Sequence, residues 1–249
     1  MTQYSLQSLY FFDKRNKIPI FVANKTQKNM YATISADIVS STSLSKSETI
    51  KLKKKIKELF MCLEEKYPKF WGRQIKGDYI ECLIPNASDA FRIALLLKSL
   101  IKSFHVKDNK RTKDFQTYGL RIAIGIGDMR IINKTQDILD GEAIYLSGRA
   151  LENMGALYKG TLNIETVNDQ LTAPLRAIAL LTDAVMNNTT LRQSEVIYHK
   201  LLSEKELEIA EAMGIKQSSV NGHATAAKWY CIEEALAYFE HLNFENNGC

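Results

Sequence analysis

The chain has 249 residues, of which 45% are hydrophobic and 24% are charged, and its formal net charge is +5. This is the composition of an ordinary globular protein with a sizeable core. It argues against a membrane-spanning protein, because no apolar run approaches the roughly 20 residues of a bilayer crossing. The four cysteines lack the paired spacing of a zinc site or a disulfide framework. We therefore expect a cytoplasmic protein without a membrane partner.

The net charge conceals an asymmetry along the chain. The stretch from Ser203 to Cys249 holds three Lys or Arg against eight Asp or Glu, a balance of −5, which leaves +10 for the rest of the chain. A basic body suits a polyphosphate ligand or an acidic partner, whereas an acidic tail repels a nucleic-acid backbone.

The hydrophobic pattern divides the chain into three regions. Residues 1–29 form an N-terminal extension to which we assign no role, and Ile18 to Val22 is its only strand-like run. Residues 30–167 alternate between strand and helix patterns, and residues 168–249 read as helices. We therefore predict one α+β domain followed by a helical domain.

The elements predicted within residues 30–167 define a fold. In chain order they are a strand from Tyr31 to Val39, a helix from Ser45 to Tyr67, strands from Trp71 to Lys76 and from Tyr79 to Ile84, a helix from Ser88 to Phe104, a strand from Leu120 to Gly127, a helix from Gly141 to Met154, and a strand near Thr161 to Glu165. The order β, α, β, β, α, β is the ferredoxin-like, or palm-type, arrangement.

Two acidic residues stand at the ends of predicted strands. Asp37 lies where the first apolar strand breaks into small hydroxyl residues, and Asp78 follows Gly77 in the turn of a predicted hairpin. In the ferredoxin-like arrangement the end of the first strand and the hairpin tip lie side by side. Two carboxylates together can hold a divalent cation that carries a triphosphate.

Four stretches of the sequence carry a resemblance to a known family. They are Ala36 to Leu44, Gly77-Asp78, Leu120 to Gly127 and Gly141 to Leu151. In that order they resemble the catalytic domain of class III nucleotidyl cyclases over about residues 31–165.

The resemblance implies a metal site and a catalytic group. Asp37 and Asp78 would hold two Mg²⁺ or Mn²⁺ ions with the help of the Ile38 carbonyl, and Arg149 would steady the phosphates in the transition state. In class III enzymes the metal acids and the arginine come from different subunits. The resemblance therefore also implies a homodimer.

Two positions depart from the pattern of the family. Tyr145 stands where the family usually has an asparagine that orients the ribose, and its hydroxyl could still reach the sugar because it lies one helical turn before Arg149. Gln74 stands where the family has a base-selecting lysine, so ATP, GTP, UTP and CTP all remain open as substrates. The predicted substrate-binding residues are Gln74, Lys76, Ser41 and Thr42.

The carboxy-terminal part resembles the helix-turn-helix of bacterial SatD-type proteins. The matching stretches are Leu180 to Ala184, Arg192 to Tyr198 and Glu208 to Val220. Gly214 would supply the turn, and Gln217 would open the second helix. That helix has few basic side chains. DNA binding is therefore left open but disfavoured, and a dimerisation or partner module is preferred.

These patterns favour one function and leave an alternative. The favoured function is a nucleotidyl cyclase that converts a nucleoside triphosphate into a 3′,5′-cyclic nucleotide and pyrophosphate, in bacterial signalling or antiphage defence. The alternative is an inactive nucleotide-sensing regulator whose helix-turn-helix binds DNA or a protein partner.

Overall fold

The computed structural model describes residues 11–12, 19–20, 30–75, 77–107, 109–136, 138–155, 157 and 159–244. The rest of the predicted N-terminal extension lies outside these ranges. In the described parts of this extension, β1 (Phe11–Phe12) pairs with β2 (Pro19–Ile20) in an antiparallel ladder. The short β2 falls within the strand-like run predicted from Ile18 to Val22.

The remaining elements follow in this order: β3 (Tyr31–Ile38), α1 (Lys46–Lys66), β4 (Trp71–Ile75), β5 (Tyr79–Ile84), α2 (Ala90–Lys102), α3 (Lys113–Tyr118), β6 (Leu120–Gly127), β7 (Met129–Asn133), β8 (Ile138–Gly141), α4 (Glu142–Glu152), β9 (Leu162–Thr166), α5 (Asp169–Asn187), α6 (Leu191–Leu201), α7 (Glu206–Met213), α8 (Gln217–Ala226) and α9 (Trp229–Glu240). Two short 3₁₀ helices, Ser41–Ser43 and Ala87–Asp89, precede α1 and α2.

The central sheet has five strands in the order β4-β5-β3-β6-β9. Strand β3 pairs antiparallel with both β5 and β6, and β4 pairs antiparallel with β5. Strand β9 is added at the far edge, parallel to β6. With α1 and α2 as its crossovers, this order is the ferredoxin-like arrangement. The predicted α+β, palm-type fold with a following helical region is confirmed.

Alternation along β3 gives the sheet two different faces. Ala32, Ile34 and Ala36 are fully buried in the core that includes the apolar residues of α1 and α2. Thr33 and Ser35 point to the opposite face, where both hydroxyls lie 2.9 Å from the Ser147 hydroxyl of α4. Helix α4 therefore packs on the face of the sheet that also carries Asp37.

Helix α4 approaches the sheet most closely at Gly125. A Cβ built on Gly125 would lie 2.1 Å from the Ala143 carbonyl oxygen and 2.5 Å from the Ser147 nitrogen. Both distances are shorter than a van der Waals contact. Only glycine fits at this point of β6, and its absence of a side chain fixes the height of α4 above the sheet.

The helical region shares its core with the sheet. Phe91 of α2 packs against Phe239 of α9, with ring centroids 5.2 Å apart, and Phe239 packs in turn against Phe244. Arg92 donates to Glu240 at 2.7 Å across the same boundary. The buried apolar residues accordingly form one cluster that runs from the strands through α2 to α5, α6 and α9.

A buried ion pair makes a second connection between these parts. Lys98 of α2 is fully buried, and its Nζ lies 3.1 Å from Asp183 of α5. Lys98 also donates to the carbonyl oxygens of Tyr118 and Leu120. Asp183 accepts from the backbone N–H of Thr161 at 2.6 Å. The pair thereby joins α2, the start of β6, the residue before β9 and α5.

Four elements were not predicted from the sequence: α3, β7, β8 and also β1, which lies before the one strand-like run predicted in the N-terminal extension. Helix α3 follows a charged loop, and β7 and β8 form a separate two-stranded antiparallel ribbon. Ile131, Ile132 and Ile138 of this ribbon are all exposed. Because neither strand has a buried face, the period-two alternation on which strand prediction depends is missing.

In the described part of the chain, every helix falls short of the length and apolarity that a bilayer crossing demands.

Candidate functional site

The two predicted metal acids lie on neighbouring backbones. Asp37 is the last residue but one of β3, and the next residue, Ile38, donates its N–H to the carbonyl oxygen of Asp78 at 3.1 Å. Gly77 precedes Asp78 in the β4–β5 turn with φ +96°, a backbone conformation that favours glycine. The hairpin tip therefore lies beside the end of β3, as the ferredoxin-like order predicts.

The turn after β3 holds the Asp78 side chain. Ser40 adopts a left-handed conformation, with φ 51°, which folds the following residues back toward the hairpin tip. Ser41 then donates its hydroxyl proton to Asp78 at 2.9 Å. Ser41, predicted to bind substrate, thus contacts a predicted metal ligand directly, whereas Thr42 is exposed on the same 3₁₀ turn.

Arg121 donates two hydrogen bonds to the Asp37 carboxylate. Its Nε donates to Oδ1 at 2.8 Å, and its Nη2 donates to Oδ2. The two residues are direct partners in the β3–β6 ladder. The hydrogen bond to Asp37 raises the pKa of Arg121 above its usual range.

Sequence reasoning missed Arg121. It assigned the residue to a strand but gave it no role. The pairing register of β3 and β6 places Arg121 against Asp37, and hydrophobic periodicity does not reveal a register between strands distant in sequence. The alternation of charged Arg121 with buried Leu120 and Ile122 was the one signal in the sequence, and it indicates only that Arg121 faces away from these two neighbours.

The donor set at this end of the sheet has the chemistry of a magnesium or manganese site. Carboxylate and carbonyl oxygens are the ligands that these hard cations prefer. The Ser43 hydroxyl, in the same turn, is buried and has no hydrogen-bond partner within the described residues. No group of three or more His, Cys, Asp or Glu that could hold a metal occurs among the residues described. An ion bound by Asp37 would compete with Arg121 for the carboxylate oxygens.

Helix α4 carries the two predicted catalytic residues on its outer side. Ser147 and Ala150 are buried against the sheet, whereas Tyr145 and Arg149 are exposed. Within the described chain, Arg149 forms no ion pair. The structure therefore does not bring Arg149 to the acids of its own subunit, and its guanidinium is free to meet a ligand on the outer side of α4.

Tyr145 contacts the β7–β8 ribbon. Its hydroxyl donates to Asp140 at 2.6 Å, and Arg130 donates to the same carboxylate at 3.0 Å. These hydrogen bonds hold the pKa of Asp140 below its ordinary value, with the tyrosine making the largest contribution. The ribose role predicted for Tyr145 would require its hydroxyl to leave Asp140 or to bridge to the sugar from there.

Gln74 forms a hydrogen bond within the β4–β5 hairpin. Its side-chain amide donates to the Gly77 carbonyl oxygen at 2.6 Å. Gly77 lies two residues after Ile75, the last residue of β4. Because the amide has a second N–H donor and an oxygen acceptor, Gln74 could contact a base edge while keeping this bond. The predicted substrate-binding residue Lys76 lies outside the described residues.

No family model matches the chain, and no curated protein matches it. Among solved structures, a bacterial light-regulated adenylyl cyclase is similar at 16% sequence identity and a TM-score of 0.38, covering 55% of this chain and 75% of that one. We draw no argument about function from a likeness of this size.

Proposed function

We propose that the chain is a nucleotidyl cyclase, which converts a nucleoside triphosphate into a 3′,5′-cyclic nucleotide and pyrophosphate. The observation that carries the proposal is the placement of Asp37 and Asp78 side by side, joined through the Ile38 N–H and the Asp78 carbonyl oxygen at 3.1 Å. The ferredoxin-like order of the sheet and the four motifs that resemble class III cyclases support it. The base stays open, because Gln74 is neutral and can pair with any of the four.

Two Mg²⁺ or Mn²⁺ ions would be held by Asp37, Asp78 and the Ile38 carbonyl. Bound there, they would lower the pKa of the ribose 3′-hydroxyl and neutralise the phosphates. Ser41 orients the Asp78 carboxylate by donating to it, so its loss would weaken the site without removing a ligand. Thr42 and Lys76 flank the two acids in sequence and would contact the triphosphate.

Arg149 would act on the phosphates of a neighbouring subunit. Its side chain is exposed on the outer side of α4 rather than turned to Asp37 of its own chain. A guanidinium presents several donors to phosphate oxygens and stabilises charge that develops as pyrophosphate leaves. A homodimer with shared sites accommodates this position, and it gives Tyr145, one helical turn away, access to the ribose.

Arg121 would compete with a bound ion for the Asp37 carboxylate. The pair is partly exposed, with 39% of the Arg121 side chain and 26% of the Asp37 side chain accessible. Partly exposed ion pairs typically contribute about 0.2–1 kcal/mol, and a pair with two parallel hydrogen bonds, such as this one, lies at or above the upper end of that range. A divalent ion bound together with a triphosphate can therefore displace the arginine.

Product analysis tests the proposal. The full-length protein is incubated with each of the four ribonucleoside triphosphates and Mg²⁺ or Mn²⁺, and the products are separated by chromatography. We expect a cyclic mononucleotide and pyrophosphate in equal amounts from at least one triphosphate, and none from the matched Asp78→Ala protein. Triphosphate that is bound but recovered unchanged under every condition would contradict the enzyme.

A nucleotide-sensing regulator is the second candidate, and the Asp37–Arg121 pair is the observation that favours it. A domain whose metal acid stays paired with arginine would bind a nucleotide without converting it. Helices α7 and α8 would then transmit the signal. The exposed residues of α8 include Gln217, Ser218 and Asn221, and the helix contains no Lys or Arg. Duplex DNA is therefore a poorer target than a protein partner.

Nucleotide binding without product distinguishes this candidate. Calorimetry with each triphosphate, with and without Mg²⁺, would give saturable binding that Arg121→Gln does not convert into turnover. A mobility shift with genomic fragments at about physiological salt would then identify a DNA target if binding were sub-micromolar and sequence-selective.

A further inference from the structure

A cavity with both polar and apolar walls lies where α2, α3 and the α5–α6 connection meet. Its volume is about 290 Å³, and its walls include Lys102, Gln116, Thr117, Asn187, Thr189 and Thr190. The predicted catalytic residues are not among them. The cavity is at the small end of the range for ligand pockets and is large enough for a compact polar molecule.

Lys102 is the cationic group of this cavity. Its side chain is nearly buried, with 3% of the residue exposed. Its Nζ donates to the carbonyl oxygens of Gln116, at 3.2 Å, and of Thr117. An ammonium group has three N–H donors. One donor is left over, and in the described part of the chain no carboxylate lies within ion-pair distance of Lys102.

The buried charges around Lys102 do not balance. Lys98 is also fully buried, and its Nζ forms an ion pair with the Asp183 carboxylate at 3.1 Å. Two buried lysines therefore lie in a region with one aspartate, and that aspartate pairs with Lys98. Burial is the largest cause that lowers the pKa of Lys102, to about 8, and the charge of Lys98 lowers it further while Asp183 opposes both. Buried charges in folded proteins are ordinarily compensated, and here the excess is cationic.

The rest of the cavity wall combines the apolar side chains of Phe104 and Leu191 with the positive end of a helix. Helix α6 begins at Leu191, a lining residue, and Thr190 is its N-cap, so the positive end of the helix dipole meets the cavity. Asn187 also lines the cavity, and its side-chain amide donates to the Thr161 hydroxyl at 3.1 Å. Within the described residues, none of the residues that line the cavity is an aspartate or a glutamate.

We propose that this cavity binds a small oxyanion, either inorganic phosphate or the phosphate of a phosphomonoester, with Lys102 as its principal partner. The anion would supply the negative charge that the two lysines lack. Because the walls come from α2 and α3 on one side and from the α5–α6 connection on the other, the bound anion would also tie the helical region to the sheet. The proposal is independent of the proposed cyclase activity.

Thermal unfolding of the full-length protein tests it. Inorganic phosphate is added against chloride at constant ionic strength, with a chelator present so that no metal-dependent nucleotide site takes part. At about ten times the dissociation constant, a chain of this size should melt roughly 3–6 °C higher. Lys102→Met should abolish the rise, and Lys113→Met, which changes an exposed lysine of α3, should keep it.

A second variant protects the test if Lys102→Met does not fold. Asn187→Leu makes the wall apolar and should reduce the broadening of the phosphate ³¹P resonance that the wild-type protein causes. Glycerol 3-phosphate in place of phosphate separates the sources: a rise with both identifies a phosphomonoester, and a rise with phosphate alone identifies the free ion. No rise for the wild type, or equal rises for the wild type and Lys102→Met, would overturn the proposal and leave Lys102 as a cap of α3.

Discussion

Arg121 donates two hydrogen bonds to Asp37 across the β3–β6 ladder. A cation of β6 therefore neutralises an acid near the end of β3. Asp78, the other predicted metal ligand, has only the Ser41 hydroxyl as its side-chain partner in the described chain. The two acids are thus unequal: one is held by a cation of the same subunit, and the other accepts from a neutral group.

Arg121→Gln should strengthen metal binding. Removing the guanidinium frees both Asp37 oxygens, and since a partly exposed ion pair contributes about 1 kcal/mol, we expect Mn²⁺ affinity to rise by about fivefold. Calorimetry of Mn²⁺ binding measures it, with Arg111→Gln, which changes an exposed arginine, as the control. Weaker Mn²⁺ binding in Arg121→Gln would mean that the arginine supports the site rather than competes for it.

Arg149→Ala should lower the rate of product formation by about 10² or more while changing the affinity for the triphosphate much less. The reason is that its guanidinium would act on charge present mainly in the transition state. Mixing this protein with Asp37→Ala tests the shared site, because a heterodimer of the two retains one intact site. Absence of recovered activity after verified subunit exchange would contradict the shared-site dimer.

Much of this architecture follows from the sequence. The alternating apolar runs predicted all five strands of the sheet to within a residue or two, and the glycine turn predicted Asp78 at a hairpin tip. These features are local, since each depends on periodicity or on the conformation of one glycine. The left-handed Gly214, with φ 62°, and the start of α8 at Gln217 also agree with the prediction.

The site was harder to predict because its contacts are not local. The sequence contains no sign that Arg121 would meet Asp37, that Tyr145 would bond to Asp140, or that Gln74 would bond to the hairpin backbone. Each contact depends on a register or a helix position that the whole fold determines. The roles taken from the family resemblance for Arg149, Tyr145, Gln74 and the metal acids therefore stay predictions.

The same substitution should have opposite effects at two glycines. Gly125→Ala places a methyl group 2.1 Å from the Ala143 carbonyl oxygen and should destabilise the protein by about 1–3 kcal/mol or more. Gly148→Ala, on α4 with no atom within 4 Å of the new Cβ, should stabilise it by roughly 0.5–1 kcal/mol. Urea denaturation gives both values. A neutral Gly125→Ala would show that α4 can lift from the sheet at little cost.

Asp183→Leu should destabilise the protein by about 3–5 kcal/mol, because it leaves Lys98 buried and unpaired. Adding Lys98→Met should recover part of this loss, so the two changes should not be additive in urea unfolding. The exposed pair Arg192–Glu195 provides the control, since Glu195→Leu should cost no more than about 1 kcal/mol. Strict additivity of the buried pair would contradict a direct interaction.

At alkaline pH, the free energy of unfolding should depend on Lys102. Its pKa is about 8 in the folded protein and near 10.5 in the unfolded chain, so between these values the unfolded chain binds more protons. Lys102 therefore adds stability as pH rises through this window, by at most about 1.4 kcal/mol per pH unit. Lys102→Met should remove that contribution from the slope of unfolding free energy against pH, measured in chloride buffers.

Cys82 should have the opposite effect on stability as the pH rises. Burial raises the pKa of its thiol, so the folded protein keeps a proton that the unfolded chain loses above about pH 9, and Cys82 reduces stability as pH rises. Cys82→Ala should make the slope more positive, whereas Lys102→Met makes it more negative. Parallel slopes for the two variants would contradict the placement of either group.

The packing of Phe91 on Phe239 bears on how such a chain can be rearranged. A gene fusion that joined another helical region to residues 30–167 would inherit an α2 whose outer side had lost its partner. The exchanged region would have to bring a matching aromatic residue for Phe91 and an acceptor for Arg92. Recombination at this boundary is therefore restricted to donors that already share the α2 surface, and the two parts of the chain are expected to change together.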